Sequence, residues 1–453
     1  MASKRGLFGT NGIRGIVNED FNNEFITRVS KSIASYLNNQ KNVIIGRDTR
    51  ISGEMVKMNV ISILLSSGIN VYDASILPTP SLQLACKTYG YFGIMITASH
   101  NPPEYNGIKC IDNDGTELDE SKENEIEHLF YQNRFKSLGW QNIGKYIRLD
   151  SINDNYINRV SSLVDSSSIM NSGLKILLDC SNGPSYLTSP EILKRLNVKF
   201  STLNCNPDGS FISHNPEPKE ENLKDLMKFT NGNFDLGIAH DGDADRVVFV
   251  DENGNFIPGD KILALITKHI VMYKKGIIVL PVSASQSIEH IANEYGSKVV
   301  YTRVGAPIIA RKMIELNAIF GGEDNGGLIF PEMQFCRDGA MGMAKIIEII
   351  SKSGKKISDL LKELPEYYVK KGSVTVDKDK MKRIMEILKS QAKGDKIIDI
   401  DGIKIYEGNS WVLVRPSGTE PIIRIYSESN EKNDAERIFN KYKNIVESIS
   451  KEI

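Results

Sequence analysis

The sequence predicts an α/β protein: three related α/β domains with mixed, mostly parallel sheets, then a C-terminal α+β domain, set around one central cleft. Two observations predict it. Three successive stretches alternate short β-rich runs with segments at helical spacing, the pattern of parallel strands covered by helices. Beyond Leu364-Pro365 the pattern changes to short strands at hairpin spacing plus two helices, which suits an antiparallel sheet. The 453 residues allow several domains, at roughly 100–200 residues each. Such a chain buries roughly three quarters of its unfolded surface, so its core needs no metal or disulfide staples.

In the first stretch, Asn42–Asp48 reads as a strand, Gly53–Ser67 as a helix and Asn70–Ala74 as a strand. Pro80–Thr88 follows as a helix and Phe92–Thr97 as a strand. The second runs through strands Leu174–Asp179, Lys199–Leu203 and Phe234–Ala239, with helices near Pro190–Leu196 and Glu221–Phe229. The third opens with a helix at Asp260–Tyr273. Strands Gly276–Leu280, Lys298–Thr302 and Ala318–Gly321 then alternate with helices Gln286–Tyr295 and Ile308–Leu316. The tail places strands at Lys371–Val376, Ile397–Ile400, Ile403–Tyr406, Ser410–Val414 and Ile422–Ser427, with helices Asp379–Lys393 and Ala435–Ile449. The expected domains are residues 1–150, 151–250, 251–365 and 366–453.

Charge narrows the function. Lys plus Arg number 56 and Asp plus Glu 57, a net charge of -1. A dedicated nucleic-acid binder carries a basic excess, so no nucleic-acid partner is expected. No run reaches the roughly 18 apolar residues of a membrane span, so no membrane partner is expected either. Lys4 and Arg5 are followed by no apolar run, so no signal peptide is expected. Five scattered cysteines without a C-x-x-C read as reduced, mostly buried thiols of a cytoplasmic protein. A homo-oligomer is left open.

Ligands of open α/β sheets bind at the carboxyl ends of strands. There the three stretches carry polar, glycine-rich loops: Thr97-Ala-Ser-His-Asn-Pro102, Asp241-Gly-Asp-Ala-Asp-Arg246 and Gly322-Glu-Asp-Asn-Gly-Gly327. Asp241, Asp243 and Asp245 at two-residue spacing can turn their oxygens toward one point, where a hard cation would relieve their repulsion. An EF-hand would place Glu252 twelfth, but Arg246 stands where that loop needs glycine, and the flanks read as strands. Ser99 beside His100 suggests a hydrolase, yet the nucleophile-elbow pattern is absent. The serine can instead carry a phosphoryl group, with the aspartates holding the metal and Lys109 supplying a cation. Arg415-Pro-Ser-Gly-Thr-Glu-Pro421 has the chemistry of a phosphate clamp. Phe8-Gly-Thr-Asn-Gly-Ile-Arg14-Gly15 adds one more glycine-rich segment with an arginine, after no strong strand.

These five strings, in this order, resemble the α-D-phosphohexomutase superfamily, whose members include phosphoglucosamine mutase and phosphomannomutase/phosphoglucomutase. The resemblance spans nearly the whole chain and implies four domains, the last like the TATA-binding-protein fold. It implies that Ser99 is phosphorylated in the active enzyme and that Mg²⁺ is held by Asp241, Asp243, Asp245 and phospho-Ser99. The phosphoryl group would pass to a hexose monophosphate and return after the 1,6-bisphosphate reorients, with free hexose 1,6-bisphosphate as activator. Arg14 and Lys109 match cations near the transferring group, with Lys109 a candidate general acid or base. Arg246 matches the arginine of the metal loop. Arg415, Ser417, Gly418, Thr419 and, further along, Arg424 match the clamp on the other phosphate. Glu323, with Asp324 and Asn325, matches the sugar loop, and Arg303 lies near another substrate-contacting segment.

Two departures bear on substrate. Many bacterial relatives end the sugar loop with histidine, where this chain has Gly327, so Lys109 or a water must carry more of the proton transfer. The centre Asp324-Asn325 resembles the archaeal-type branch often assigned as phosphoglucosamine mutases. Glu323 and Asp324 would put two carboxylates near the sugar, favouring a 2-ammonium group. Glucosamine phosphate is therefore the first expectation and mannose or glucose phosphate the alternative. A phosphatase with Asp241 as nucleophile and a binder without turnover are remoter alternatives.

Overall fold

The computed structural model describes the chain except residues 1–5, Thr10, Asn39, Arg134, Lys136, Gly418 and Thr419. The first sheet has six strands in the order Ile13–Ile16, Tyr105–Ile111, Phe92–Ile96, Asn42–Arg47, Asn70–Ile76, Tyr146–Arg148. Its centre is parallel, and the two strands at the Ile13–Ile16 end are antiparallel. The second sheet runs Phe256–Ile257, Val247–Val250, Leu236–His240, Lys175–Asp179, Lys199–Leu203. The third runs Lys298–Thr302, Ile277–Pro281, Phe320–Gly322, Leu328–Ile329. All five strands of the fourth are antiparallel: Tyr368–Thr375, Ile422–Ser429, Ser410–Pro416, Ile403–Glu407, Lys396–Ile398. The three-plus-one architecture is as expected.

The central strands are apolar throughout because both faces are covered. Val43, Ile44 and Ile45 are fully buried, as are Ile94, Met95 and Ile96. One continuous core joins the second and third sheets, from Tyr156 through Ile238 and Phe320 to Leu364. At its centre lies helix Gly339–Ser353, capped by the Asp338 side chain accepting from Met341 N. The first and fourth sheets keep separate cores.

Three differences from expectation stand out. The Phe8–Gly15 segment is partly strand: Ile13–Ile16 pairs with Tyr105–Ile111, setting Arg14 opposite Gly107. Helices Asn23–Tyr36, Glu120–Gln132, Ile152–Ser162 and Gly339–Ser353 add to those read from sequence. Cys180 and Cys205 form a disulfide, which corrects the expectation of five reduced thiols. They follow Asp179 and Leu203, partners in a parallel ladder, and so emerge side by side from adjacent strand ends. Cys86, Cys110 and Cys336 are free and buried, as expected. Among the described residues, no helix is long and apolar enough to cross a membrane.

Candidate active site

Ser99 lies just beyond strand Phe92–Ile96, fully buried, with φ of 51°. Its Oγ donates to Asp241 Oδ2 at 2.9 Å, and its backbone N–H donates to Thr97 Oγ1 at 2.8 Å. Sequence reasoning missed the residue that holds this loop. Arg50 is buried and donates to the carbonyls of Ser99, Asn101, Pro102 and Tyr105 at 2.6–2.9 Å. Its Nε reaches Asp48 Oδ2 at 3.0 Å, and Asp48 also accepts from Thr97 Oγ1. Only the planar, five-donor guanidinium can satisfy so many oxygens at once. The signal was present in Gly46-Arg-Asp-Thr-Arg50 but not its target, the loop after the neighbouring strand Phe92–Ile96.

The metal-loop aspartates lie between strands Leu236–His240 and Val247–Val250. Asp241, Asp243 and Asp245 are buried and bring ligand oxygens within 4.8 Å of one another. Asp243 Oδ2 accepts from Thr79 Oγ1 at 2.6 Å and from Lys109 Nζ at 3.2 Å. Asp245 Oδ2 accepts from Lys109 Nζ at 3.2 Å and Arg337 Nη2 at 2.6 Å. Asp243 Oδ1 and Asp245 Oδ1 are buried with no hydrogen-bond partner. Buried, unpaired carboxylate oxygens are costly. Three hard oxygen ligands around one point fit a divalent cation, so the triad can bind a metal. The EF-hand alternative fails: Glu252 bonds Ser358 and Asn253, and strands flank the loop.

Electrostatics sorts the groups. Burial, with repulsion from Asp243 and Asp245, raises the Asp241 pKa well above the carboxylate range. Burial pushes Asp243 the same way, but Lys109, Thr79, Arg337 and Arg14 outweigh it and hold that carboxyl below its usual range. For Lys109, burial favours the neutral amine, yet Asp243, Asp245 and Glu117 raise its pKa. Lys109 is thus a firmly held ammonium, suited to neutralising charge rather than to giving or taking a proton. His100 Nδ1 comes within 3.4 Å of Ser99 Oγ. Burial and the cations Arg246, Arg14 and Arg337 push the His100 pKa down to about 2, so it is a poor base and a Ser–His hydrolase is disfavoured.

Arg14 donates to Ala98 O and Asn101 Oδ1 at 3.0 and 2.7 Å, on the serine loop itself. Glu323 is buried; its Oε1 accepts from Gly305 N at 3.2 Å and its Oε2 lies 3.7 Å from Arg337 Nη1. Arg337 therefore joins the sugar loop to the metal loop, a role unread in the sequence. Burial raises the Glu323 pKa. Asp324 does not act beside Glu323 as expected: its carboxylate pairs with Lys371 at 2.9 Å, from the C-terminal domain. Both carboxylates already face cations, so the electrostatic case for an amino sugar built on that pair is withdrawn. Arg246, Asp324 and Asn325 line a cavity of about 280 Å³ with Glu217, Lys219 and Glu220. Arg303 stands on a different cavity, of about 640 Å³, and pairs with Glu120.

On the fourth sheet Arg415 and Arg424 are cross-strand partners. Like charges set opposite repel, and an anion between them relieves the repulsion. Arg424 meets Glu420 at 2.8 Å, and Ser417 Oγ accepts from Glu420 N at 3.2 Å. Gly418 and Thr419 lie outside the described residues.

The buried serine, the acidic triad and the cations Lys109, Arg14 and Arg337 make an arrangement chemically suited to phosphoryl transfer. Models of the four phosphoglucomutase/phosphomannomutase domains match in order: alpha/beta/alpha domain I over residues 5–137, domain II over 154–254, domain III over 258–368 and the C-terminal domain over 373–444. A phosphoglucomutase/phosphomannomutase of Thermococcus kodakarensis is 44% identical over 437 residues, 95% of this chain and 96% of that one. A phosphoglucosamine/phosphogalactosamine mutase of Sulfurisphaera tokodaii is 40% identical, covering 97% and 99%. The crystal structure of a phosphoglucomutase/phosphomannomutase family protein of Burkholderia thailandensis superposes with a TM-score of 0.87 at 23% identity, covering 97% of each chain. The chain belongs to the phosphoglucomutase/phosphomannomutase family of the α-D-phosphohexomutases. It is a phosphohexomutase, an isomerase.

Proposed function

We propose that the enzyme interconverts hexose 1-phosphate and hexose 6-phosphate through phospho-Ser99. The observation that carries this is the Ser99 hydroxyl 2.9 Å from Asp241, inside the acidic triad and across from Lys109. The phosphoryl group leaves Ser99 Oγ for the free hydroxyl of a hexose monophosphate; the Ser99 O–P bond breaks, a sugar O–P bond forms, and the proton lost by the hydroxyl is made up on the departing Ser99 Oγ. The resulting 1,6-bisphosphate turns in the cleft and returns its other phosphoryl group to Ser99. Free bisphosphate recharges any dephosphorylated serine, which makes it the activator.

Asp241, Asp243 and Asp245 would hold Mg²⁺ with an oxygen of phospho-Ser99. The ion supplies charge neutralisation for the transferring group. Lys109 and Arg14 add positive charge beside it. Glu323, buried beside Arg337, would accept hydrogen bonds from ring hydroxyls of the sugar. Arg415, Ser417 and Arg424, with Gly418 and Thr419, grip the phosphate that stays.

Glucosamine phosphate is the proposed sugar. The name of the Sulfurisphaera tokodaii relative, phosphoglucosamine/phosphogalactosamine mutase, supports an amino sugar, and Glu217 and Glu220 line the cavity beside the metal loop. Glucose or mannose phosphate is the second reading, favoured by the Lys371 ammonium on Asp324. Hexose 1-phosphates assayed as a panel, each with a trace of its 1,6-bisphosphate, test the sugar. Phosphopeptide mapping after bisphosphate treatment tests the carrier: phosphate on Ser99 is expected, while phosphate on Asp241 or nowhere overturns the reading. Activity should vanish with a chelator and return with Mg²⁺.

A further inference from the structure

One side chain reaches from the C-terminal domain to both the clamp arginine and the third domain. Asp401 lies in the turn between strands Lys396–Ile398 and Ile403–Glu407. Its Oδ2 accepts from Val304 N at 3.2 Å and stands 3.2 Å from Arg415 Nη2. The next residue, Gly305, donates its N–H to Glu323 of the sugar loop. Glu323 meets Arg337, which meets Asp245 of the metal loop. Asp401 thus closes a chain of polar contacts from Arg415 to the acidic triad. Arg415 Nε is buried with no hydrogen-bond partner, so its guanidinium keeps a donor for another ligand while Nη2 is held.

The turn is seated firmly. Gly402 has φ of 86°, and a Cβ there would stand 2.6 Å from Arg415 Cβ. Two residues on, Lys404 is fully buried; its Nζ donates to the carbonyls of Val282 and Ala284 at 3.0 and 3.4 Å. The ammonium lies 3.9 Å from the Trp411 ring centroid, with Tyr301 and Tyr406 alongside. Glu428 lies behind it, accepting from Trp411 Nε1 and Gln286 N. Cation–π contact and carbonyl bonds together fasten this hairpin onto the third domain.

We propose that Asp401 is the positioning residue of the phosphate clamp: it fixes Arg415 at the distance from the sugar loop that a hexose bisphosphate requires. This rests on the reading of Arg415 as the phosphate grip. Asp401 also competes with phosphate for the guanidinium. A partly exposed ion pair contributes little, whereas freezing a free arginine costs most of its rotamer freedom, so positioning outweighs competition.

The test measures KM and kcat for glucosamine 1-phosphate and glucose 1-phosphate in Asp401→Ala, Asp401→Asn, Arg415→Ala and the double variant Asp401→Ala/Arg415→Ala. Circular dichroism checks that each is folded. Asp401→Ala should raise KM about ten-fold with a smaller effect on kcat, and Asp401→Asn, which keeps the acceptor for Val304, should fall between. The double variant should be no worse than Arg415→Ala, because Asp401 acts through Arg415. If Arg415→Ala raises KM and Asp401→Ala does not, the positioning role is overturned while the clamp stands. Losses that multiply in the double variant also overturn it. If Arg415→Ala itself leaves KM unchanged, the clamp reading falls and the positioning role with it.

Discussion

Gly242 of the metal loop packs against the carbonyl of Ser99. A Cβ on Gly242 would stand 2.4 Å from that oxygen and 3.0 Å from Pro216 Cβ, closer than atoms approach. The two loops belong to different sheets, and this contact sets the Ser99 hydroxyl at the acidic triad. The same carbonyl accepts from Arg50, so it is gripped from both sides. Gly242→Ala should therefore push the loops apart. A displacement near 1 Å costs about 10²-fold in rate. We expect turnover to fall by about that factor with the fold retained, measured by steady-state kinetics and circular dichroism; a near-normal kcat would show that the loops tolerate separation.

Arg50 holds the serine loop from within the core, 1% exposed. Replacing it with methionine keeps the bulk but strips four carbonyls of a donor and the buried Asp48 of its cation. Breaking a buried pair by removing one partner costs about 3–5 kcal/mol. Arg50→Met should lower unfolding free energy in urea by that order. Among molecules that stay folded, the Ser99 region should exchange amide hydrogens faster. A loss under 1 kcal/mol would mean that water replaces the guanidinium.

His214 carries a pH dependence of stability. Its Nε2 faces Asp179 Oδ2 at 3.2 Å and its Nδ1 faces the Asn215 carbonyl at 2.8 Å. Two acceptors are satisfied only by the doubly protonated ring. Burial works against that charge, but the Asp179 and Asn215 bonds, helped by Asp225, raise the pKa. A folded value above the unfolded one, about 6.5, contributes stability that is full below pH 6.5. That contribution is lost as pH rises through the folded value. Relative to wild type, His214→Gln should lose about 1–2 kcal/mol at pH 5.5 and much less at pH 9. Urea titrations at both values check this, and equal losses would refute the charged ring. His214 also precedes Pro216, so the loop that packs on Gly242 should be firmest on the acid side.

What the sequence made legible follows from periodicity. Asn42–Arg47 and Phe92–Ile96 were readable because strands covered on both faces are continuously apolar. Gly339–Ser353 escaped because it is buried on nearly every side and its polar face shrinks to the stripe Lys345, Glu348 and Lys352. The serine and metal loops were readable because their chemistry is contiguous. Arg50, Arg337 and Asp401 were not, because each meets a partner 49–97 residues away in the chain. The Cys180–Cys205 pair depends on which strands lie adjacent, a property of topology. Lys371 on Asp324 overturned a charge argument made from one loop alone.

The sugar preference can be decided at two carboxylates. Asp324 is paired with Lys371, and burial on Lys371 is offset by Asp324 and Asp260, which raise its pKa. The pair ties the sugar loop to the C-terminal domain, so losing it should disturb both sugars alike. Asp324→Asn should lower kcat/KM for glucosamine 1-phosphate and glucose 1-phosphate by factors within about two-fold of each other. Glu217 lines the cavity beside Arg246 and pairs with Lys219 at 2.7 Å, itself 55% exposed. A screened pair of that kind contributes about 0–1 kcal/mol, so Glu217 is available to an ammonium on the sugar. Glu217→Gln should lower kcat/KM for the amino sugar about five-fold more than for glucose phosphate, close to 1 kcal/mol. Both variants measured on both substrates near neutral pH separate the readings. A selective loss in Asp324→Asn would restore that carboxylate to sugar recognition, and equal losses in Glu217→Gln would leave the cavity no part in choosing the amino sugar.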